Sequence, residues 1–359
     1  MWEKGISAYL GLGISLDASQ NYLELAHAYG YTRLFTSLHI PEANIHSLLP
    51  DFKRFIRFAT NNGYKVTADI SATALTMLGA SCTDLAPLKE LGITTLRLDY
   101  GFPLEQIAAL TRSGDLEIEL NASTITPIIL DKLNHSKVNL TNLRACHNYY
   151  PRPETGLAFE LFAQRSQLFH DYGIPVLAFI PSRSCPRGPI FAGLPTLEKH
   201  RLLAPELAAK ELLACHFIDG VLFGDPLASK AELASVAAVT DDCIELQVSV
   251  ESDISAAERE ILFAAHTNRL DPGEQVIRSQ QARDLCKSII PARTPQRRQA
   301  GSVTIDNQNY QRYMGELQII RSPLPLDNQV NIAAKIIPEE VFLLDYIRPG
   351  DAFRLKEQR

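Results

Sequence analysis

The chain has 359 residues, 46% of them apolar and 21% charged, with a formal net charge of −6. That size suits one large domain plus a small one, and the balance is that of a globular protein with a real core. The acidic surplus argues against a nucleic-acid partner, and no apolar run reaches the roughly 18 residues that cross a bilayer.

The first residues, Met1-Trp2-Glu3-Lys4-Gly5-Ile6-Ser7, run straight into an apolar strand. They lack the basic start and small-residue cleavage site of a leader. A cytoplasmic protein with neither a membrane nor a nucleic-acid partner is therefore expected. Cys82, Cys146, Cys185, Cys215, Cys243 and Cys286 stand singly. No pair has C-x-x-C spacing, which speaks against a zinc knot or a redox pair.

Up to residue 241, short β-favouring runs alternate with longer stretches of helical spacing. Strands are predicted over Gly5–Leu12, Arg33–Leu38, Lys65–Ile70, Thr95–Tyr100, Leu116–Leu120, Asn142–His147, Pro175–Ile180 and Gly220–Gly224. Helices are predicted to begin near Asp17, Asn44, Thr73 (with a further start at Asp84), Pro103, Thr124, Gly156, Ala204 and Ser229. Asp17 is expected to cap the first of them. Gly30, Gly63, Gly92 and Gly173 mark helix ends, where a positive φ is needed. About eight strand–helix units in roughly 240 residues predict a (β/α)8 TIM-type barrel over 1–241. An open doubly wound sheet is the rival, but Gly11-Leu12-Gly13 alone is too little for its nucleotide turn.

The pattern changes after Asp241. Alternating segments follow at Ile244–Val250, Gly301–Ile305, Gly315–Arg321, Gln329–Ile337 and Phe342–Ile347, interrupted by prolines. They predict a small β-rich barrel domain over 242–359.

Barrel enzymes build their active sites at the C-terminal ends of the strands. Those ends carry His39 and Glu42 after strand two, Asp69 after strand three, Asp99 after strand four, Asn121 after strand five and Asp225 after strand eight. Glu42, Asp69 and Asp99 are the candidate catalytic carboxylates. Gathered on one face they repel one another, which raises at least one pKa and prepares an acid/base pair. Asp225, before Pro226, reads equally well as a helix cap.

Strand six runs into His147-Asn148-Tyr149-Tyr150-Pro151-Arg152-Pro153-Glu154-Thr155-Gly156. Two prolines stiffen this loop, Asn148 both donates and accepts, and the tyrosines either stack on a sugar face or pack on the rim. The loop after strand seven is the longest and reads as a lid or specificity loop. Its Arg183 and Arg187 either grip a phosphate or carboxylate or face water. In the second domain Arg278 and Arg283 flank Ser279, as an anion contact or as plain surface. A metal site from His39, Asp69 and Asp99, or from His147 and Asp225, lacks an H-x-H or H-E-x-x-H pair. No metal and no cofactor is expected. A G-x-S-x-G elbow and a strand-end lysine are both missing.

Three segments, Ser37–Glu42, Arg97–Phe102 and His147–Gly156, together resemble the bacterial 6-phospho-N-acetylmuramidase (MupG-type) family. The resemblance spans nearly the whole chain. It implies a TIM-type barrel followed by a cyclophilin-like β-domain. It also implies hydrolysis, during cell-wall recycling, of the β-1,4 bond in N-acetylmuramic acid 6-phosphate–N-acetylglucosamine. On that reading Asp99 and Glu42 lead as the carboxylate pair, with Asp69 third. His39, Asn121, His147, Asn148, Tyr150, Glu154 and Asp225 line the sugar site, and Arg152, Arg183, Arg187 and Arg278 hold anionic groups. One departure is Ala72 after Asp69-Ile70-Ser71, where the resemblance leads one to expect proline. A phosphosugar epimerase or lyase, or a non-catalytic sugar-phosphate sensor, would use the same contacts.

Overall fold

The computed structural model describes residues 2–37, 45–69, 72–81, 83–98 and 102–358. Its chain divides into two compact units, Met1–Ala238 and Val239–Arg359.

The first unit is built on β1 (Glu3–Ser7), β2 (Arg33–Ser37), β3 (Lys65–Asp69), β4 (Thr95–Leu98), β5 (Glu117–Asn121), β6 (Leu143–Cys146), β7 (Val176–Ile180) and β8 (Gly220–Phe223). Each strand pairs in parallel with the next, and β8 pairs with β1, so the sheet closes into a barrel. Every residue of β2 and of β7 is buried, as a parallel sheet covered on both faces requires. Tyr9, Phe35, Cys146, Leu177, Phe179 and Leu222 form an apolar core cluster. An ion network forms a second, polar group. Arg33 Nε lies 2.7 Å from Glu3 Oε2, and Arg144 donates to Glu3 Oε2 at 2.6 Å and to Glu117 Oε2 at 3.1 Å. Buried arginines are tolerable only with such partners.

The helices are α1 (Leu16–His27), α2 (Ile45–Asn61), α3 (Ala72–Met77), α4 (Ala86–Leu91), α5 (Leu104–Ser113), α6 (Pro127–His135), α7 (Phe159–Asp171), α8 (Pro205–Ala214) and α9 (Lys230–Ala237). Two predicted starts move. Ser15, not Asp17, caps α1 by accepting from the Ala18 N–H at 3.1 Å. Thr126, rather than Thr124, caps α6. In both cases the residue with extended backbone next to the first turn wins, because only there can the oxygen reach back.

The second unit holds β9 (Ile244–Val250), β10 (His266–Thr267), β11 (Val276–Arg278), β12 (Ser302–Asp306), β13 (Leu317–Ile320), β14 (Val330–Ile336) and β15 (Ala352–Glu357), with α10 (Ala256–Leu262) and α11 (Ala282–Leu285). The sheet order is β10-β15-β9-β14-β12-β13-β11. Its two edges also meet: Arg269 N–H donates to Arg278 O at 3.0 Å and Gln280 N–H to Thr267 O at 2.9 Å, around an Asn268–Ser279 bridge. The sheet is thus nearly a closed barrel around Leu246, Val248, Ile277, Val303, Ile305, Ile319 and Phe353.

One predicted strand is overturned. Residues Phe342–Ile347 fall almost wholly within a 3-10 run, Pro338–Tyr346. Leu343 and Leu344 are adjacent and both buried, which a helical turn achieves and a one-sided strand does not. Glu340 anchors the run by accepting the Gln247 N–H at 2.6 Å.

Candidate active site

The strand register carries a polar row across five strands. Ser37 on β2 pairs with Asp69 on β3, Asp69 with Arg97 on β4, Arg97 with Glu119 on β5, and Glu119 with Arg144 on β6. Charge alternates along the row from Asp69 onward, so each carboxylate neighbours an arginine about 5 Å away along the sheet. Ser37 Oγ donates to Asp69 Oδ2 at 3.3 Å. Arg97 is 3% exposed and donates to Glu119 Oε1 and Cys146 O, both at 3.0 Å, and to Asn148 Oδ1 at 2.7 Å. Its guanidinium therefore fixes Asn148 on the loop leaving β6.

Next to this row the mouth is aromatic, with Phe35 between the Arg97 guanidinium and the Tyr149 ring. Arg187 sits against two tyrosines, 4.7 Å from the Tyr9 ring centroid and 5.0 Å from that of Tyr149. One terminal nitrogen donates to Tyr149 Oη at 3.0 Å, while its Nε has no partner. A guanidinium stacked in this way is held in orientation and keeps donors for an anion.

Two carboxylates brace the loop that delivers Arg187. Asp225 accepts the N–H groups of Ser182 (2.9 Å), Arg187 (2.8 Å) and Leu194 (2.9 Å). Glu232 accepts the Arg183 N–H at 2.7 Å and the Ser182 hydroxyl at 3.0 Å, besides capping α9. Burial raises the Asp225 pKa, against the pull of those three N–H groups. The loop leaving β6 has its own brace. Glu198 accepts from Glu154 N (2.9 Å) and Gly156 N (2.7 Å), and Arg201 holds it from the other side at 2.7 Å. The Arg201 pairing leads in lowering the Glu198 pKa to about 2. A Cβ on Gly156 would lie 2.7 Å from Glu198 N, so only glycine fits there.

Several predicted contacts take other places. His147 is fully buried: Nδ1 lies 3.2 Å from Ser123 Oγ and Nε2 2.9 Å from Ser166 Oγ on α7. The Ser166 hydroxyl already donates to Phe162 O. Nε2 therefore carries the proton and Nδ1 accepts. Burial, then Arg97 and Arg165, pull the His147 pKa down to about 3. His147 thus orders Ser123 and, through it, Asn148, whose N–H donates to Ser123 Oγ at 2.9 Å, and does not face a ligand. Asp225 likewise has no exposed surface and anchors a loop. Asn121 is 3% exposed and accepts the Ser123 N–H at 3.0 Å. Tyr150 is half-buried, and its backbone carbonyl accepts from Arg201 at 3.0 Å. Arg152, Glu154 and Arg183 are exposed. Arg278 belongs to the second unit and donates to Glu316 Oε1 at 2.8 Å. His39, Glu42 and Asp99 lie outside the described residues. Among the described residues no cluster of three His, Cys, Asp or Glu side chains could hold a metal, and no helix is long and apolar enough to cross a membrane.

Residues 4–238 match the family described as 6-phospho-N-acetylmuramidase, N-terminal, and residues 244–356 the corresponding C-terminal family. The chain belongs to the 6-phospho-N-acetylmuramidase family. That family name denotes a glycosidase activity, and the chain is accordingly an enzyme of the glycoside hydrolase type. No curated protein matches it. The crystal structure of an uncharacterized B. cereus protein is similar over 99% of both chains, at 33% identity and a TM-score of 0.89. A conserved protein from Enterococcus faecalis is 38% identical over 99% of this chain and 96% of its own, with a TM-score of 0.72. Sequence reasoning passed over Arg97, Glu119 and Tyr9 as site residues of this 6-phospho-N-acetylmuramidase relative. One arginine in each of three alternate strands, Arg33 on β2, Arg97 on β4 and Arg144 on β6, was the available signal, since a buried arginine must be paired.

Proposed function

We propose that this protein hydrolyses the β-1,4 bond between N-acetylmuramic acid 6-phosphate and N-acetylglucosamine, in the cytoplasm, with two carboxylates of the barrel mouth. Membership in the family, across both halves of the chain, carries the reading. The mouth supports it, combining an acidic and amide row, Asp69 to Asn148, with a stacked cation, Arg187.

In this reading two carboxylates out of Asp99, two residues after Arg97 in the chain, Glu42, and Asp69, the cross-strand partner of Arg97, supply acid and nucleophile or base. One protonates the leaving oxygen; the other attacks the anomeric carbon or activates water. A carboxyl separation of about 5–5.5 Å would give retention, and roughly 6.5–9.5 Å inversion. Arg97 neutralises charge gathering beside Asp69, and Asn148 is presented to sugar hydroxyls. Arg187, with Arg152 and Arg183 at the exposed rim, binds the phosphate or the lactyl carboxylate.

The test is incubation with phosphorylated and unphosphorylated muramyl disaccharides, followed by product mass. The phosphorylated form should split with the gain of one water, and the unphosphorylated form should not. Folded Asp69→Asn, Asp99→Asn and Glu42→Gln proteins identify the pair, since losing either member of a catalytic carboxylate pair costs on the order of 100-fold or more. Full activity in all three, or a product without added water, would end the proposal.

A further inference from the structure

A second polar cluster lies in the β-rich unit, where β12 ends and β13 begins. Glu316 is paired there: Arg278 Nε lies 2.8 Å away, Gln318 donates at 3.2 Å, and Arg283 Nε is at 3.6 Å. Asp327 has Arg298 at 3.8 Å and accepts the Gln329 N–H at 2.9 Å. Asp306 differs. It is only 4% exposed, yet no side-chain hydrogen bond reaches its carboxyl among the described residues. Its backbone N–H donates to Glu316 O at 3.0 Å, and the side chains of Glu316, Asp327, Arg298, Arg278 and Tyr310 lie within electrostatic reach of its carboxyl. A carboxyl this nearly buried loses most of its hydration without gaining a protein donor, which leaves it open to a donor from outside.

Charge decides what that partner is. A metal ion would need three protein ligands, and no such cluster exists among the described residues. A cation would meet Arg278 and Arg298; an anion would meet Asp306, Glu316 and Asp327. A neutral molecule rich in hydroxyls satisfies both sets, because a hydroxyl donates to carboxylates and accepts from guanidinium groups. Tyr310 adds an aromatic face for the C–H side of a sugar ring.

We propose that the β-rich unit carries a saccharide-binding site of its own, in which Asp306 binds ring hydroxyls of a neutral sugar beside Arg278, Arg298 and Tyr310. The site is independent of the barrel chemistry.

The experiment titrates isotope-labelled full-length protein with N-acetylglucosamine, glucose and glucose 6-phosphate and follows backbone amide shifts. Saturable shifts at residues 302–318 are expected with a neutral sugar, and equally in the Arg187→Ala protein, which separates this site from the barrel mouth. Asp306→Ala should weaken binding about tenfold, the effect of one hydrogen bond to a charged group, and Asp306→Asn, which keeps an acceptor, should weaken it less. No saturable shift in the wild type would overturn the proposal whether or not the variants fold. So would tighter binding of the phosphorylated sugar, or an Asp306→Ala protein that binds as the wild type does.

Discussion

Asp306 makes the sharpest claim at the scale of a single residue. Burial, followed by the neighbouring Glu316 and Asp327, raises its pKa to about 7, and Arg298 and Arg278 only partly oppose this. The folded protein therefore keeps a proton that the unfolded chain releases near pH 4. Stability then falls as pH climbs from about 4 to about 7, and the penalty is fully present above that. An Asp306→Asn protein should be more stable than the wild type at pH 8, by about 1–3 kcal/mol, and the gap should close toward pH 4. Urea unfolding at the two pH values measures it, and a gap that does not change with pH would dismiss the raised pKa. His147 illustrates a limit of residue-level reading. A histidine at a strand end invites a ligand role, but its parity along β6 turns it toward α7, and only the three-dimensional partner Ser166 reveals this.

Among the elements, the loop after β7, read from the sequence as a lid or a specificity loop, is firmly braced. Asp225 and Glu232 grip five backbone N–H groups between Ser182 and Leu194. Its Arg187 is thereby held ready without any closure step, which is how a rigid scaffold lowers the entropic cost of binding. Removing the Asp225 carboxylate should release the loop while the barrel stays folded. The Asp225→Ala protein is expected to be cut by trypsin at Arg183 or Arg187 at least about tenfold faster than the wild type, since local opening governs such cleavage. Equal cleavage rates would mean that the loop is held by something else. The start of α9 near Ser229 was legible in the chain, because a cap residue is local to the helix that it opens. Asp225's role was not, because its acceptor contacts span more than 30 residues.

For the molecule as a whole, the alternation of strands and helices was legible, since every strand of a closed parallel ring must be apolar and every crossover long. The second unit was read less completely. β10, β11 and β15 are short or carry charged outer faces, as in Arg354 and Lys356, and apolar spacing alone does not find such strands. Its own buried cluster, from Leu246 to Leu355, predicts that residues 239–359 expressed alone fold. Far-ultraviolet circular dichroism with a cooperative urea transition would demonstrate it, whereas a gradual, non-cooperative loss of signal would count against an independent core.

The carboxylates that pin the loop after β7 stand downstream of everything they hold. On a ribosome the chain emerges from its N-terminus, so Arg187 is synthesised well before Asp225 and Glu232 exist to position it. β1 also waits for β8 before it gains its second neighbour. The bracing of this loop is therefore completed last, and a nascent barrel stalled just before residue 225 would own all eight of its strands and an Arg187 that no carboxylate yet holds in place.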